Sequence, residues 1–132
     1  MLEGRFKSME KHKIVAIDDT PFICDTLKAW LKSAYDIQTF LSGKEGLKYL
    51  SDNHADLVLL DYEMPAMTGY EVLMSIRTSK NISKIPVIFL TGVTNERMET
   101  EMMERGATDF IRKPLDLAVL RKSIEKQLQA KA

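Results

Sequence analysis

Five short apolar runs rich in branched residues alternate along the chain with segments of helical period, and this alternation constrains the fold more than any other feature. The runs occupy residues 14–18, 36–40, 56–61, 87–91 and 108–112, the second being the most polar. A strand that is apolar on both sides of its pleat needs cover on both faces, and a helix after every strand supplies it. The expected product is a parallel sheet between two helical layers. Right-handed crossovers between five such units predict the strand order 2-1-3-4-5, with a ligand crevice outside the carboxyl ends of the strands, at the switch between strands 1 and 3.

The helical segments carry their own punctuation. Thr20-Pro21 reads as an N-cap followed by proline at the first helical position, with Ile23, Leu27, Trp30, Leu31 and Ala34 as one stripe. Ser42 with Glu45 reads as a capping box ahead of Leu47 and Leu50. A third helix is expected over about residues 68–79 with Val72, Leu73 and Ile76 inward. Asn95 is placed to cap a fourth helix carrying Met98 and Met102, which Gly106 ends, and Asp116 to cap a fifth through Leu117, Leu120, Ile124 and Leu128. This is a flavodoxin-like, doubly wound α/β arrangement with five helices.

Composition excludes several classes of function. The 132 residues are 45% hydrophobic, enough for one ordinary core. Nineteen basic residues balance nineteen acidic ones, so no field of one sign draws the chain to nucleic acid or to an anionic membrane. Cys24 stands alone, which rules out an internal disulfide, and it reads as an inert packed thiol. No apolar run approaches the roughly 20 residues that span a bilayer. A cytoplasmic setting is the expectation. Residues 1–8, whose LEGR resembles part of a protease-cleavage tag, are set aside as an added or disordered leader, leaving residues 9–132 as a single domain. His12 and His54 are expected to face solvent.

The unusual polar residues fall at strand ends. Strand 1 ends in Asp18-Asp19, strand 3 in Asp61, strand 4 in Thr91, and Lys113 follows strand 5, each separated from the next by at least one crossover. Three carboxylates, a hydroxyl and an ammonium would converge on one rim. Taken singly, the acidic pair could cap a helix, the threonine a turn, and the lysine could be a solvated charge; jointly they need another explanation. Carboxylates at close range repel, and a hard divalent cation relieves them; oxygen ligands and retained waters suit Mg²⁺, or Mn²⁺. Such an ion commonly completes its shell with phosphate oxygens, which Thr91 and Lys113 would help to hold. A carboxylate left free could attack phosphorus to form an aspartyl-phosphate.

The stretches IDDTPF, LLDYEMPAMTGYEVL, PVIFLTG and GATDFIRKP resemble, in order, the signature segments of the response-regulator receiver family over residues 13 to about 128. By position, the resemblance implies that Asp61 is the phosphoacceptor, Asp18 and Asp19 the metal pair, and the backbone carbonyl of Glu63 a further metal ligand. It implies that Thr91 and Lys113 contact the phosphoryl group, that Lys113-Pro114 is a cis peptide, and that Phe110 is the switch aromatic. Receivers often have tyrosine where Phe110 stands and aspartate where Thr68 stands; the first change removes a phenolic hydroxyl, and the second bears on capping rather than chemistry. The implied partners are a histidine kinase or histidine phosphotransfer protein and a downstream effector or second copy meeting the surface of helix 4, strand 5 and helix 5. No contact with nucleic acid or membrane is expected. On this reading the chain catalyses only its own phosphorylation and dephosphorylation. Phosphorylation would draw the Thr91 hydroxyl toward the phosphoryl oxygens and let Phe110 turn inward.

Two rivals fit less well. A Mg²⁺-dependent aspartyl-phosphate phosphatase usually pairs its nucleophile and acid as D-x-D, and this position reads Asp61-Tyr62-Glu63. A flavodoxin-like mononucleotide binder wants a first loop rich in Ser, Thr and Gly, whereas Asp-Asp-Thr-Pro repels phosphate without metal. No G-x-x-x-x-G-K-[ST] loop occurs.

Overall fold

A computed structural model of the protein describes residues 10–93 and 95–131. The eight-residue leader lies outside them. Along the chain run β1 (Lys13–Ile17), α1 (Pro21–Leu31), β2 (Asp36–Phe40), α2 (Gly43–Asp52), β3 (Leu57–Asp61), α3 (Gly69–Thr78), β4 (Val87–Thr91), α4 (Glu96–Glu104), β5 (Asp109–Arg112) and α5 (Leu117–Lys131). The five strands are parallel in the order β2-β1-β3-β4-β5, as expected from the alternation.

The pleat divides the core in two. Val15, Ile17, Val58, Leu60, Val87 and Phe89 face one side, where Leu50 of α2, Val72, Leu73 and Ile76 of α3 and Met102 of α4 cover them. Ile14, Ala16, Leu57, Leu59, Ile88 and Leu90 face the other, under Leu27 and Leu31 of α1 and Leu120, Ile124 and Leu128 of α5. β3 and β4 are buried along their whole length, whereas the edge strands β2 and β5 carry exposed or half-buried residues. That pattern explains the polarity of the second run.

Most punctuation acts as expected. Asn95 accepts the Met98 N–H and Asp116 that of Val119, while of the box expected at Ser42 and Glu45 only the half in which Ser42 accepts the Glu45 N–H is formed. Thr68 and Glu71 form a complete capping box, so threonine at this position serves the helix start. Gly106 has φ of +112° and ends α4. Two local expectations fail. Thr20 stands at the N-cap of α1, but its side chain makes no capping bond; its own N–H is instead taken by Asp18 Oδ1 at 2.9 Å. Ala34 is exposed, because α1 closes at Leu31 and the chain turns toward β2 before the stripe can continue. Among the described residues, no helix is long and apolar enough to cross a membrane.

Candidate functional site

Parallel strands deliver their last residues to one edge of the sheet, and here that edge gathers charge. Asp18 follows β1, Asp61 ends β3, Thr91 ends β4 and Lys113 follows β5. The Asp18 N–H donates to the Phe40 carbonyl at 3.0 Å and the Lys113 N–H to the Thr91 carbonyl at 2.8 Å, so both loops leave the sheet still tied to it. Carboxylate oxygens of Asp18, Asp19 and Asp61 all lie within 4.8 Å of one another. Lys113 Nζ sits between two of them, 2.9 Å from Asp18 Oδ2 and 3.2 Å from Asp61 Oδ1. The peptide bond from Lys113 to Pro114 is cis.

Asp18, Asp61 and Thr91 are all buried. Burial, and after it the charge of Asp18, push the Asp61 carboxyl up to about 7, although Lys113 pulls the other way. Burial alone would lower the Lys113 ammonium, but its hydrogen bonding and charge interactions with Asp18 and Asp61 outweigh this and hold it above the ordinary lysine range. Three carboxylates against one ammonium leave an excess of negative charge. The buried Asp18 Oδ2 has no partner among the described residues beyond the Lys113 ammonium at 2.9 Å. A buried anionic oxygen with a single ammonium to share among three carboxylates is in the environment a hard divalent cation satisfies.

Thr91 Oγ1 accepts the Val93 N–H at 3.0 Å, and the Glu63 N–H donates to Asp61 Oδ1 at 3.2 Å. Asp18, Asp19, Asp61 and Lys113 are thus brought together, Thr91 ends the strand beside Asp61, and Glu63 bends over it through its backbone. Phe110 stands two strands from Asp61, half-buried, its ring 5.2 Å from that of Phe89.

Three contributors escaped the reading of the sequence. The Cys24 thiol, buried and pushed up to about 11 by that burial, donates to the Asp18 carbonyl at 3.3 Å. A Cβ on Gly69 would come within 2.5 Å of the Asp61 carbonyl oxygen, so only glycine lets α3 start this close to the loop. Phe89 contacts the ring of Tyr62, in the loop that follows β3, on one side and that of Phe110 on β5 on the other. The T-G pair before α3 was the one legible signal. The surface cavities lie elsewhere: those of about 690 Å³ beside Lys28 and Tyr35 and about 390 Å³ beside His54 and Ile85 at the opposite edge of the sheet, where strands begin, and one of about 530 Å³ on α4 beside Glu96 and Glu101. Convergent polar groups mark the site rather than cavity volume.

With this geometry in hand, comparison with known proteins gives one answer. The family model of the response regulator receiver domain matches residues 14–125. A probable cyclic di-GMP phosphodiesterase of Vibrio cholerae is 36% identical over 99% of this chain, which covers 30% of that protein. The chain spans about half the length of the next curated regulators it matches. The structure of the Vibrio cholerae chemotaxis protein CheY4 is similar with a TM-score of 0.84 at 28% identity, over 88% of this chain and 98% of that one. The receiver domain of sensor histidine kinase PA1611 from Pseudomonas aeruginosa shares the fold with a TM-score of 0.82 at 22% identity, over 90% of this chain and 98% of that one; its structure holds a magnesium ion in its own active-site cleft.

Proposed function

The chain belongs to the response regulator receiver family, and from that premise we propose that Asp61 accepts a phosphoryl group from a phosphohistidine of a histidine kinase or phosphotransfer protein. The observation that carries this is the convergence of Asp18, Asp19 and Asp61 around Lys113 at the carboxyl edge of the sheet. In the transfer, a carboxylate oxygen of Asp61 bonds to phosphorus while the phosphorus–nitrogen bond of the donor breaks, and the imidazole leaves with the electron pair. Hydrolysis of the acyl phosphate returns the carboxylate and releases inorganic phosphate, so the chain acts on its own aspartate and on no separate substrate.

Asp18, Asp19, Asp61 and the Glu63 carbonyl would hold Mg²⁺ or Mn²⁺, which supplies charge neutralisation at the transferring oxygens. Lys113 neutralises a second oxygen and keeps its charge because Asp18 and Asp61 flank it. Thr91, whose hydroxyl accepts from Val93, has a donor hydrogen to give to a third. Drawing the Thr91 hydroxyl toward the phosphoryl group would connect the site to Phe110 and to the face formed by α4, β5 and α5, where an effector or second copy would bind. Residues 9–132 form a single receiver domain in this reading, working in the cytoplasm beside its kinase. The whole protein's output stays with the longer relatives, whose activities are their own.

Intact mass measurement after incubation with acetyl phosphate and Mg²⁺ tests the proposal. One hydroxylamine-sensitive phosphoryl group should be gained by the parent and none by Asp61→Asn. Equal labelling of the two would remove Asp61 as acceptor.

A further inference from the structure

Three aromatic rings cross the sheet in a row. Tyr62 directly follows Asp61, Phe89 lies in the middle of β4, and Phe110 lies on β5; Phe89 is in register with Leu60 on one side and Phe110 on the other. The Tyr62 and Phe89 centroids are 5.4 Å apart at 77°, edge to face, and those of Phe89 and Phe110 are 5.2 Å apart at 30°, stacked. Both arrangements lie in the favoured range for aromatic pairs.

Phe89 has no room to adjust. It is fully buried, and a Cβ on Gly69 would sit 2.8 Å from its Cε1 and 2.8 Å from the Tyr62 Cα. The start of α3 therefore lies so close to this ring and to the loop after Asp61 that no side chain fits between them. Phe110, half-buried on an edge strand, is the ring with freedom to leave, and the face it rests against is that of Phe89.

We propose that Phe89 is a positioning residue for the switch: its ring holds Phe110 packed inward before any phosphoryl group arrives and links that position to the loop carrying Asp61. This rests on the reading of Asp61 as acceptor and of Phe110 as the moving aromatic. A ligand that prefers the inward state gains apparent affinity in proportion to that state's population, so a residue that populates it in advance strengthens binding at the acidic pocket without touching the ligand. Leucine at position 89 fills much of the space but offers no ring face.

The test is a calorimetric titration of the full chain with beryllofluoride in saturating Mg²⁺, for the parent, Phe89→Leu, Phe110→Leu and the double variant. Phe89→Leu should weaken binding by about two- to tenfold, the range that a lost aromatic pair allows. In the Phe110→Leu background the same substitution should have no further effect. Phe110→Tyr keeps the ring and should bind like the parent while Phe110→Leu does not, an arm that stands even if Phe89→Leu folds poorly. Parent-like affinity in Phe89→Leu, losses that simply add in the double variant, or equal affinity of the Phe110 Tyr and Leu variants would overturn the role of Phe89. Failure of the parent itself to bind, or equal binding by Asp61→Asn, would instead overturn the Asp61 reading and this inference with it.

Discussion

Asparagine at position 61 should make the metal-free protein more stable while ending its function. Asp61 gains a contact with Lys113 and an N–H from Glu63, yet burial and the charge of Asp18 outweigh both and push its carboxyl up to about 7. Because the folded-state value lies above the roughly 3.9 of an unfolded aspartate, the native chain binds the extra proton between those limits. This group's penalty is absent below the unfolded value, grows as pH rises toward 7 and is complete above it. Melts in EDTA should place Asp61→Asn above the parent at pH 8, by a few degrees or on the order of 1 kcal/mol, with the gap closing toward pH 5. A variant that melts below the parent at pH 8 would mean that the Lys113 contact dominates. Lys113→Met removes the cation between Asp18 and Asp61 and should lower the EDTA melting temperature at pH 8, leaving two buried carboxylates facing each other.

At the scale of elements, α4 is held at its far end by Arg77 of α3. The Arg77 guanidinium is pushed below its ordinary range by burial and donates to the Gly106 carbonyl at 2.9 and 2.7 Å, to Ile85 at 2.6 Å and to Ser83 at 3.1 Å. These are the carbonyls that a helix end and a loop leave orphaned. Arg77→Leu should cost about 3 kcal/mol, seen as a drop in melting temperature on the order of 10 °C, because three acceptors lose a charged donor. Gly106→Ala should also destabilise, by about 1–2 kcal/mol: its φ of +112° disfavours a side chain, and a Cβ would stand 2.8 Å from Arg77 Nε. A melt unchanged in both variants would show that α4 is anchored elsewhere. Toward its other end, α4 depends on the Asn95 cap and on the half-exposed pair of Glu99 with Arg112 at 3.5 Å, which is worth little in water. In the proposed switch, that asymmetry would leave the end beside Thr91 as the one free to move.

For the whole molecule, ion binding and folding are one equilibrium. An ion that fills the acidic pocket of the native chain and has no site in the unfolded chain stabilises it by mass action. Millimolar Mg²⁺ should raise the melting temperature of the parent and raise that of Asp61→Asn less, since one of the three carboxylates is gone. Identical shifts would place the ion elsewhere, and no shift in the parent would empty the pocket of its proposed role.

The five-fold alternation of strand and helix, and the residues standing at strand ends, were open to reading because local chemistry decides them: branched runs form buried strands, N-caps such as Ser42 and Asn95 start helices, and Gly106 stops one. The 2-1-3-4-5 order followed from the handedness of the crossovers, and Asp18, Asp61, Thr91 and Lys113 reached one edge because parallel strands all end there. Distance and burial were not open to it. That Lys113 stands between Asp18 and Asp61, and that Cys24 supports the Asp18 carbonyl, depend on atoms brought together from remote parts of the chain. The same holds for the rings of Tyr62, Phe89 and Phe110, which are apolar residues like any others in the sequence. They became a continuous row only when β4 and β5 settled in register and the loop after β3 brought Tyr62 against Phe89, since such side-chain contact is set by tertiary packing and leaves no periodic trace along a single chain.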